Sequence, residues 1–450
     1  MKKRIAVIML SVAVLIICMA AAMTGCKDKG NECADLVALR INNHMAEWVD
    51  SNYNFDYKGV GELNVTVPYT NYLEINDLIV SPQAYAVVYD DEACSETIES
   101  QSRIYVDGSR VVYIKVTNGK KSRSYKVNVN VKQSNLPDNV DLSAKNYDNR
   151  GGHIYIPDGA KEVKIDGDVY CVVNRMHEMD ANEVGKYKNF IACGNYGFSS
   201  FSTGPDFTKS AFHGIFDGNG YLIYLGKDKY ADAMNDYNRA FFNRIGERGI
   251  VRNFVLTTYG DQYSVEAEII SKETAFICYE NYGVIDNVTT LLDVCDLNTE
   301  LRGKYEDDFD KKYVHKFAFF ANINCGTISN CLNKGNVRGL ESDSKIRQFS
   351  VFSNEMYADG NIRPGSAAKL INCVNIGNID CNSSAKGKKV SGGACIVASI
   401  ADKNVEVRGV YNLGAINSEK GKRNFGGAVS VNSRARVRNI DCSKIKDYTK

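Results

Sequence analysis

Apolar and polar residues alternate with a period of two between about residues 60 and 132. Tyr125, Val127, Val129 and Val131 interleave with Lys126, Asn128 and Asn130. Val112, Ile114 and Val116 interleave with Tyr113, Lys115 and Thr117, and Leu63, Val65 and Val67 alternate before Pro68. Such alternation predicts strands with one buried and one wet face. Asn118-Gly119 between two of these runs is a strong hairpin signal. The pattern predicts a small antiparallel β-sandwich. Residues 34–50 leave two readings open. Leu36, Leu39 and Trp48 fit a helical stripe, or the segment opens the sandwich.

Further along, the alternation gives way to a repeat. Its core is a small residue, an apolar residue two on, and Asn after two more. Gly249-Ile250-Val251-Arg252-Asn253, Gly283-Val284-Ile285-Asp286-Asn287 and Gly326-Thr327-Ile328-Ser329-Asn330 are the clearest copies. Ala368 to Asn372 and Ala435 to Asn439 are weaker, and Val405 to Gly409 puts Gly at the anchor. The anchors at 253, 287, 330, 372, 409 and 439 lie 34, 43, 42, 37 and 30 residues apart. An apolar residue follows each anchor: Phe254, Val288, Cys331, Cys373, Val410 and Ile440. Asn333, Asn375 and Asn412, then Gly335, Gly377 and Gly414, recur in the central copies, and Phe241-Phe242, Phe276-Ile277 and Phe319-Phe320 precede the copies anchored at 253, 287 and 330.

No unit holds the amphipathic helix that helical repeats need. Short strands, small-residue turns and variable inserts predict one coil of a parallel β-helix per unit. Val and Ile columns would fill its core, and Asn columns would form amide ladders at its turns. A four-stranded propeller blade has a similar period and is the competing architecture.

Two stretches resemble known modules. The run Val111 to Val131 resembles the last hairpin of cadherin-like or immunoglobulin-like modules of bacterial surface proteins. Phe212-His213-Gly214-Ile215-Phe216-Asp217-Gly218-Asn219-Gly220 resembles the signature that opens many bacterial right-handed β-helix domains. Ser391-Gly392-Gly393-Ala394 and Phe425-Gly426-Gly427-Ala428 are similar to the Gly-Gly element of GLUG-type repeats. These resemblances imply a sandwich spacer followed by a right-handed solenoid. They imply little about function, because that fold carries adhesins, spacers and polysaccharide enzymes.

The N-terminus supplies an address. Lys2, Lys3 and Arg4 precede an apolar run from Ile5 to Met23, the layout of an export signal. Met23-Thr24-Gly25-Cys26 resembles the bacterial lipobox, with Met in place of the usual Leu. The resemblance implies a signal cut before Cys26 and a diacylglyceryl and palmitate-bearing lipid on its thiol. An uncleaved membrane anchor is the alternative, since about 19 apolar residues nearly span a bilayer. Either way the remainder lies outside the cytoplasmic membrane. Of 14 Cys, 12 remain beyond Cys26, and no CxxC spacing fixes a disulfide pattern. The 55 Lys and Arg nearly balance the 54 Asp and Glu, which excludes a broadly basic nucleic-acid binder.

Candidate chemistry is sparse. His177-Glu178 lacks the second His of a zinc helix, because Ala181 stands there. Asp217-Gly218-Asn219-Gly220 reads as half a calcium loop or, more simply, as a tight turn. Arg252, Asp286 and Ser329 occupy one repeat column, with Asp293 and Asp296 nearby, and could face one groove as polysaccharide enzymes require. An Arg252–Asp286 contact across stacked coils is more often a surface ladder pair. Glu300 to Lys316 is a charged insertion, and Tyr221, Tyr224, Tyr230, Tyr237, Tyr259 and Tyr263 supply aromatics for sugar stacking or for packing.

The sequence therefore predicts an all-β chain: signal peptide 1–25, lipidated tether 26–33, antiparallel β-sandwich 34–133, linker 134–149, and right-handed parallel β-helix 150–450. The expected function is non-catalytic: a lipid-anchored protein on the extracytoplasmic face of a bacterial membrane, binding an extracellular glycan or protein through the β-helix. A lyase or glycoside hydrolase on the same scaffold and a purely structural envelope component are the alternatives. No catalytic, cofactor-binding or metal residue is assigned, and Cys26 is the lipid attachment site.

Overall fold

A computed structural model describes residues 33–50, 61–132, 147–174, 189–198, 211–225, 240–258, 264–265, 273–295, 316–338, 348–356, 368–380, 393–400, 405–417 and 445–447. Every element among the described residues is a β-strand.

The described residues of the N-terminal unit form ten strands: β1 (Leu36–Ile41), β2 (His44–Met45), β3 (Glu47–Trp48), β4 (Gly61–Pro68), β5 (Tyr72–Leu73), β6 (Ile75–Val80), β7 (Tyr85–Tyr89), β8 (Ile104–Tyr105), β9 (Ser109–Asn118) and β10 (Lys121–Lys132). They form sheets ordered β2-β1-β6 and β3-β4-β10-β9-β7, with β5 and β8 paired separately. The two larger sheets share one core that contains Leu36, Leu39, Val65, Ile114, Tyr125 and Val127. The expected β9–β10 hairpin is present, but Asn118 pairs with Lys121, so the two turn residues are Gly119, whose φ is 58°, and Lys120. One pairing departs from the antiparallel expectation. Strand β4 runs parallel to β10, from Gly61 opposite Tyr125 to Pro68 opposite Lys132. Gly61 permits this approach, because a Cβ there would lie 2.6 Å from the Tyr125 ring.

Residues 34–50 take the strand alternative, for a reason invisible to periodicity. All six residues of β1 are buried, and they serve two cores. Leu36, Leu39 and Ile41 enter the sandwich. Val37, Ala38 and Met45 instead pack on Leu332, Val374 and Tyr411 of the repeat region. A register shift between Leu36 and Ala38 makes the switch. A strand buried on both sides loses its alternation. Asn42 and Asn43, with φ of 47° and 62°, then form the tight turn into β2.

The repeat region is a stack of parallel strands. Val284–Thr290 pairs with Ile250–Thr258 before it and with Thr327–Ser329 after it, and Lys369–Asn375 and Glu406–Asn412 follow in the same ladder. Two further ladders run beside this one, also parallel. An antiparallel hairpin, Glu162–Ile165 with Asp168–Val173, begins the first ladder. The interior is continuous, and the Phe pairs at 241–242 and 319–320 and Phe276-Ile277 lie inside it. Cys331 and Cys373 sit in the same column of that interior, as free thiols. Burial pushes the Cys331 thiol well above its ordinary range. Amide ladders join successive strands: Asn333 Nδ2 donates to Asn375 Oδ1 at 2.7 Å, and Asn375 Nδ2 to Asn412 Oδ1 at 2.7 Å.

Candidate functional site

The repeat anchors have a backbone reason. Asn253, Asn287, Asn330 and Asn372 have φ of 58°, 49°, 54° and 50°, and Gly409 has 60°. A Cβ is penalised in this left-handed region, and Asn and Gly tolerate it best. The chain bends there, so the preceding residue faces outward. Parallel register stacks those residues as one column, Arg252, Asp286, Ser329, Ile371 and Arg408, and aligns the buried Asp217 with its first member.

The edge of the sandwich lies along this column. Met45 N donates to Asn287 Oδ1 at 3.2 Å, and Asn287 Nδ2 to Asn43 O at 3.1 Å. Asn330 Nδ2 donates to Glu47 Oε1 at 2.6 Å, and Asn372 Nδ2 to Ala46 O at 3.0 Å. One repeat anchor after another thus binds the β2–β3 segment. Asp77 on β6 strengthens the seam: it pairs with Arg40 at 3.3 Å and with Lys334 of the repeat region.

Two adjoining depressions open along the seam, of about 340 and 260 Å³. Glu47, Asp286 and Asn330 line both. The larger adds Asn64, Asp217 and Arg252, and the smaller adds Trp48 and Arg408. Arg252 Nε donates to Asp217 Oδ2 at 2.8 Å, and Asp217 also accepts from Asn253 Nδ2 and from Asn219 N. Asp286 Oδ1 accepts from Ser329 Oγ at 2.7 Å and Asn330 Nδ2 at 2.8 Å. Glu47 and Asp286 therefore share one amide donor. Burial pushes the Asp286 carboxyl above the ordinary carboxylate range; the bonds from Ser329 and Asn330 oppose this, and the Glu47 charge adds to it. His44, also in the lining, has its Nε2 at 3.2 Å from Gly152 O, and burial pushes its pKa down to about 4.

Several sequence candidates fall into place. Arg252, Asp286 and Ser329 do share a column, but the partner of Arg252 is Asp217 on the neighbouring parallel strand. The Asp217-Gly218-Asn219-Gly220 motif is a turn that fastens neighbouring chain. Asn219 and Gly220 have φ of 52° and 73°, and Asn219 Nδ2 donates to Ile154 O at 3.0 Å and Ala192 O at 3.1 Å. Tyr221 stacks on His153 at 3.9 Å, which is packing within the chain. Asp293 accepts from Asn336 N and Nδ2 at 2.9 and 2.8 Å, away from the column. Cys26, His177, Glu178, Asp296, residues 300–315, Tyr230, Tyr237, Tyr259 and Tyr263 lie outside the described residues. Sequence reasoning missed Glu47 and Asn64, whose site partners are hundreds of residues away. It also missed the Asp217–Arg252 pair, although Ile215-Phe216-Asp217 aligns with Ile250-Val251-Arg252 in the repeat.

No protein-family model, no curated protein and no solved structure matches the chain.

Proposed function

We propose that this is a lipid-anchored surface protein that binds an extracellular glycan without turning it over. In this account Cys26 carries the lipid, and the ladders are coils of a right-handed parallel β-helix of the GLUG-like kind. The N-terminal unit is then a cadherin- or immunoglobulin-like sandwich, docked on the helix and forming part of its binding surface. The observation that carries the proposal is the seam cleft, where carboxylates, an arginine, amides and Trp48 converge. Small-molecule sites of a few hundred Å³ combine such placed polar groups with apolar or aromatic surface. The partnering of Arg252 by Asp217, and of Asp286 by Ser329 and Asn330, favours binding over chemistry, because the charged column groups already serve the ladder. The test is to pass the purified full-length chain over immobilised polysaccharides and size the glycan afterwards. The expected outcome is retention with no shortening of the glycan. Release of oligosaccharides would favour the polysaccharide enzyme.

A further inference from the structure

We infer that the seam cleft takes an uncharged pyranoside, with Glu47 and Asp286 accepting from its hydroxyls and Arg252 donating to its oxygens. The inference rests on the glycan-binding proposal and narrows it to one site and one class of sugar. It starts from atoms that have no partner among the described residues. Glu47 uses Oε1 for Asn330, and its Oε2 accepts no bond. Asp286 uses Oδ1 for both of its donors, and its Oδ2 accepts none. Arg252 uses Nε for Asp217, leaving the two terminal guanidinium nitrogens without a bond. All three side chains line the larger depression. Each is fixed by its other bond, so little side-chain entropy remains to be lost on binding.

Charge selects the class. Lys132 is paired with Asp166 and Arg252 with Asp217, whereas among the described residues Glu47 and Asp286 have only neutral hydrogen-bond donors. The uncompensated charge is therefore negative, which disfavours uronate, sialate or sulfated sugars. A metal cation is disfavoured as well. The Asn330 amide nitrogen, a donor, bonds both carboxylates at 2.6 and 2.8 Å and takes the place between them. A neutral sugar offers what remains: hydroxyls that donate to carboxylates and accept from a guanidinium. Trp48 in the adjoining depression can cover the apolar face of a ring.

The experiment is affinity electrophoresis of the full-length chain in detergent, through gels holding neutral glucan, mannan, xylan or galactan, or the acidic polygalacturonate, alginate or hyaluronan. The variants are Glu47→Ala, at an exposed position, and Arg252→Lys, which keeps the charge opposite Asp217 but loses the planar fork. The expected result is retardation by at least one neutral polysaccharide, about tenfold weaker in Glu47→Ala and several-fold weaker in Arg252→Lys, with unchanged circular dichroism. Retardation by acidic gels alone would overturn the class of sugar and leave glycan binding standing. Neutral retardation untouched by both variants would overturn the site. Passage through every gel at native mobility would overturn glycan binding itself.

Discussion

Asp77 neutralises two cations at the seam, and its removal measures how firmly the units are joined. The Arg40 side chain is 4% exposed and that of Asp77 is 11% exposed, with Nη1 and Oδ2 at 3.3 Å. Lys334, from the repeat region, meets the same carboxylate. Asp77→Ala leaves Arg40 in place with one bond, Nη2 to Asn43 O at 2.8 Å. Removing one partner of a buried pair costs about 3–5 kcal/mol, because the remaining charge stays out of water. Lys334 can turn toward solvent, so most of the penalty falls on Arg40. Asp77→Asn keeps the shape and an acceptor and should cost less. Asp77→Leu combined with Arg40→Met should recover most of the loss, since an apolar pair needs no compensation. Urea unfolding, followed by Trp48 fluorescence and by circular dichroism together, reads these costs. Trp48 reports the seam because it lies on β3, between the sandwich core and the column. A loss below about 1 kcal/mol in Asp77→Ala would refute the argument, since a solvated pair costs no more than that.

Three further outcomes follow from the same geometry. Asn330→Ala should destabilise more than Asn330→Gly by about 1 kcal/mol, because both lose the amide but only Ala carries a Cβ at φ 54°; equal unfolding midpoints would contradict the left-handed anchor. Burial lowers the His44 pKa from 6.5 to about 4, so its contribution is present above pH 6.5 and is lost as pH falls toward 4. Stability measured across that window should fall with acid in the native chain and fall less in His44→Gln. Cys26→Ala should shift the protein from the membrane to the soluble fraction or leave it unprocessed, and a membrane-bound product of mature size would disprove lipid attachment.

The parts of the fold legible in the sequence were those with a short-range cause. Alternation at Tyr125, Val127, Val129 and Val131 reports a strand with one wet face, and the anchors report a backbone bend that only Asn or Gly adopts readily. Gly409 replaces Asn at the same φ, which is why that copy could be aligned despite the substitution. Strand β1 was ambiguous because it faces two cores, and the second belongs to residues 332, 374 and 411. The parallel β4–β10 pair was hidden for a related reason, since alternation carries no information about strand direction. The site divided along the same line. Its column half, Arg252, Asp286 and Ser329, could be read from the repeat. Its sandwich half, Glu47 and Asn64, could not, because the contact between Glu47 and Asn330 spans 283 residues.

The most direct test is a crystal structure of the full-length chain grown with the neutral oligosaccharide that binds it best. The β2–β3 edge should be bonded to Asn287, Asn330 and Asn372, and sugar density should fill the seam cleft. Hydroxyl oxygens should lie within hydrogen-bonding distance of Glu47 Oε2 and Asp286 Oδ2, and a sugar oxygen should face the terminal nitrogens of Arg252. A sugar bound elsewhere with the cleft closed or filled by solvent, or a sandwich detached from the Asn column, would contradict this arrangement.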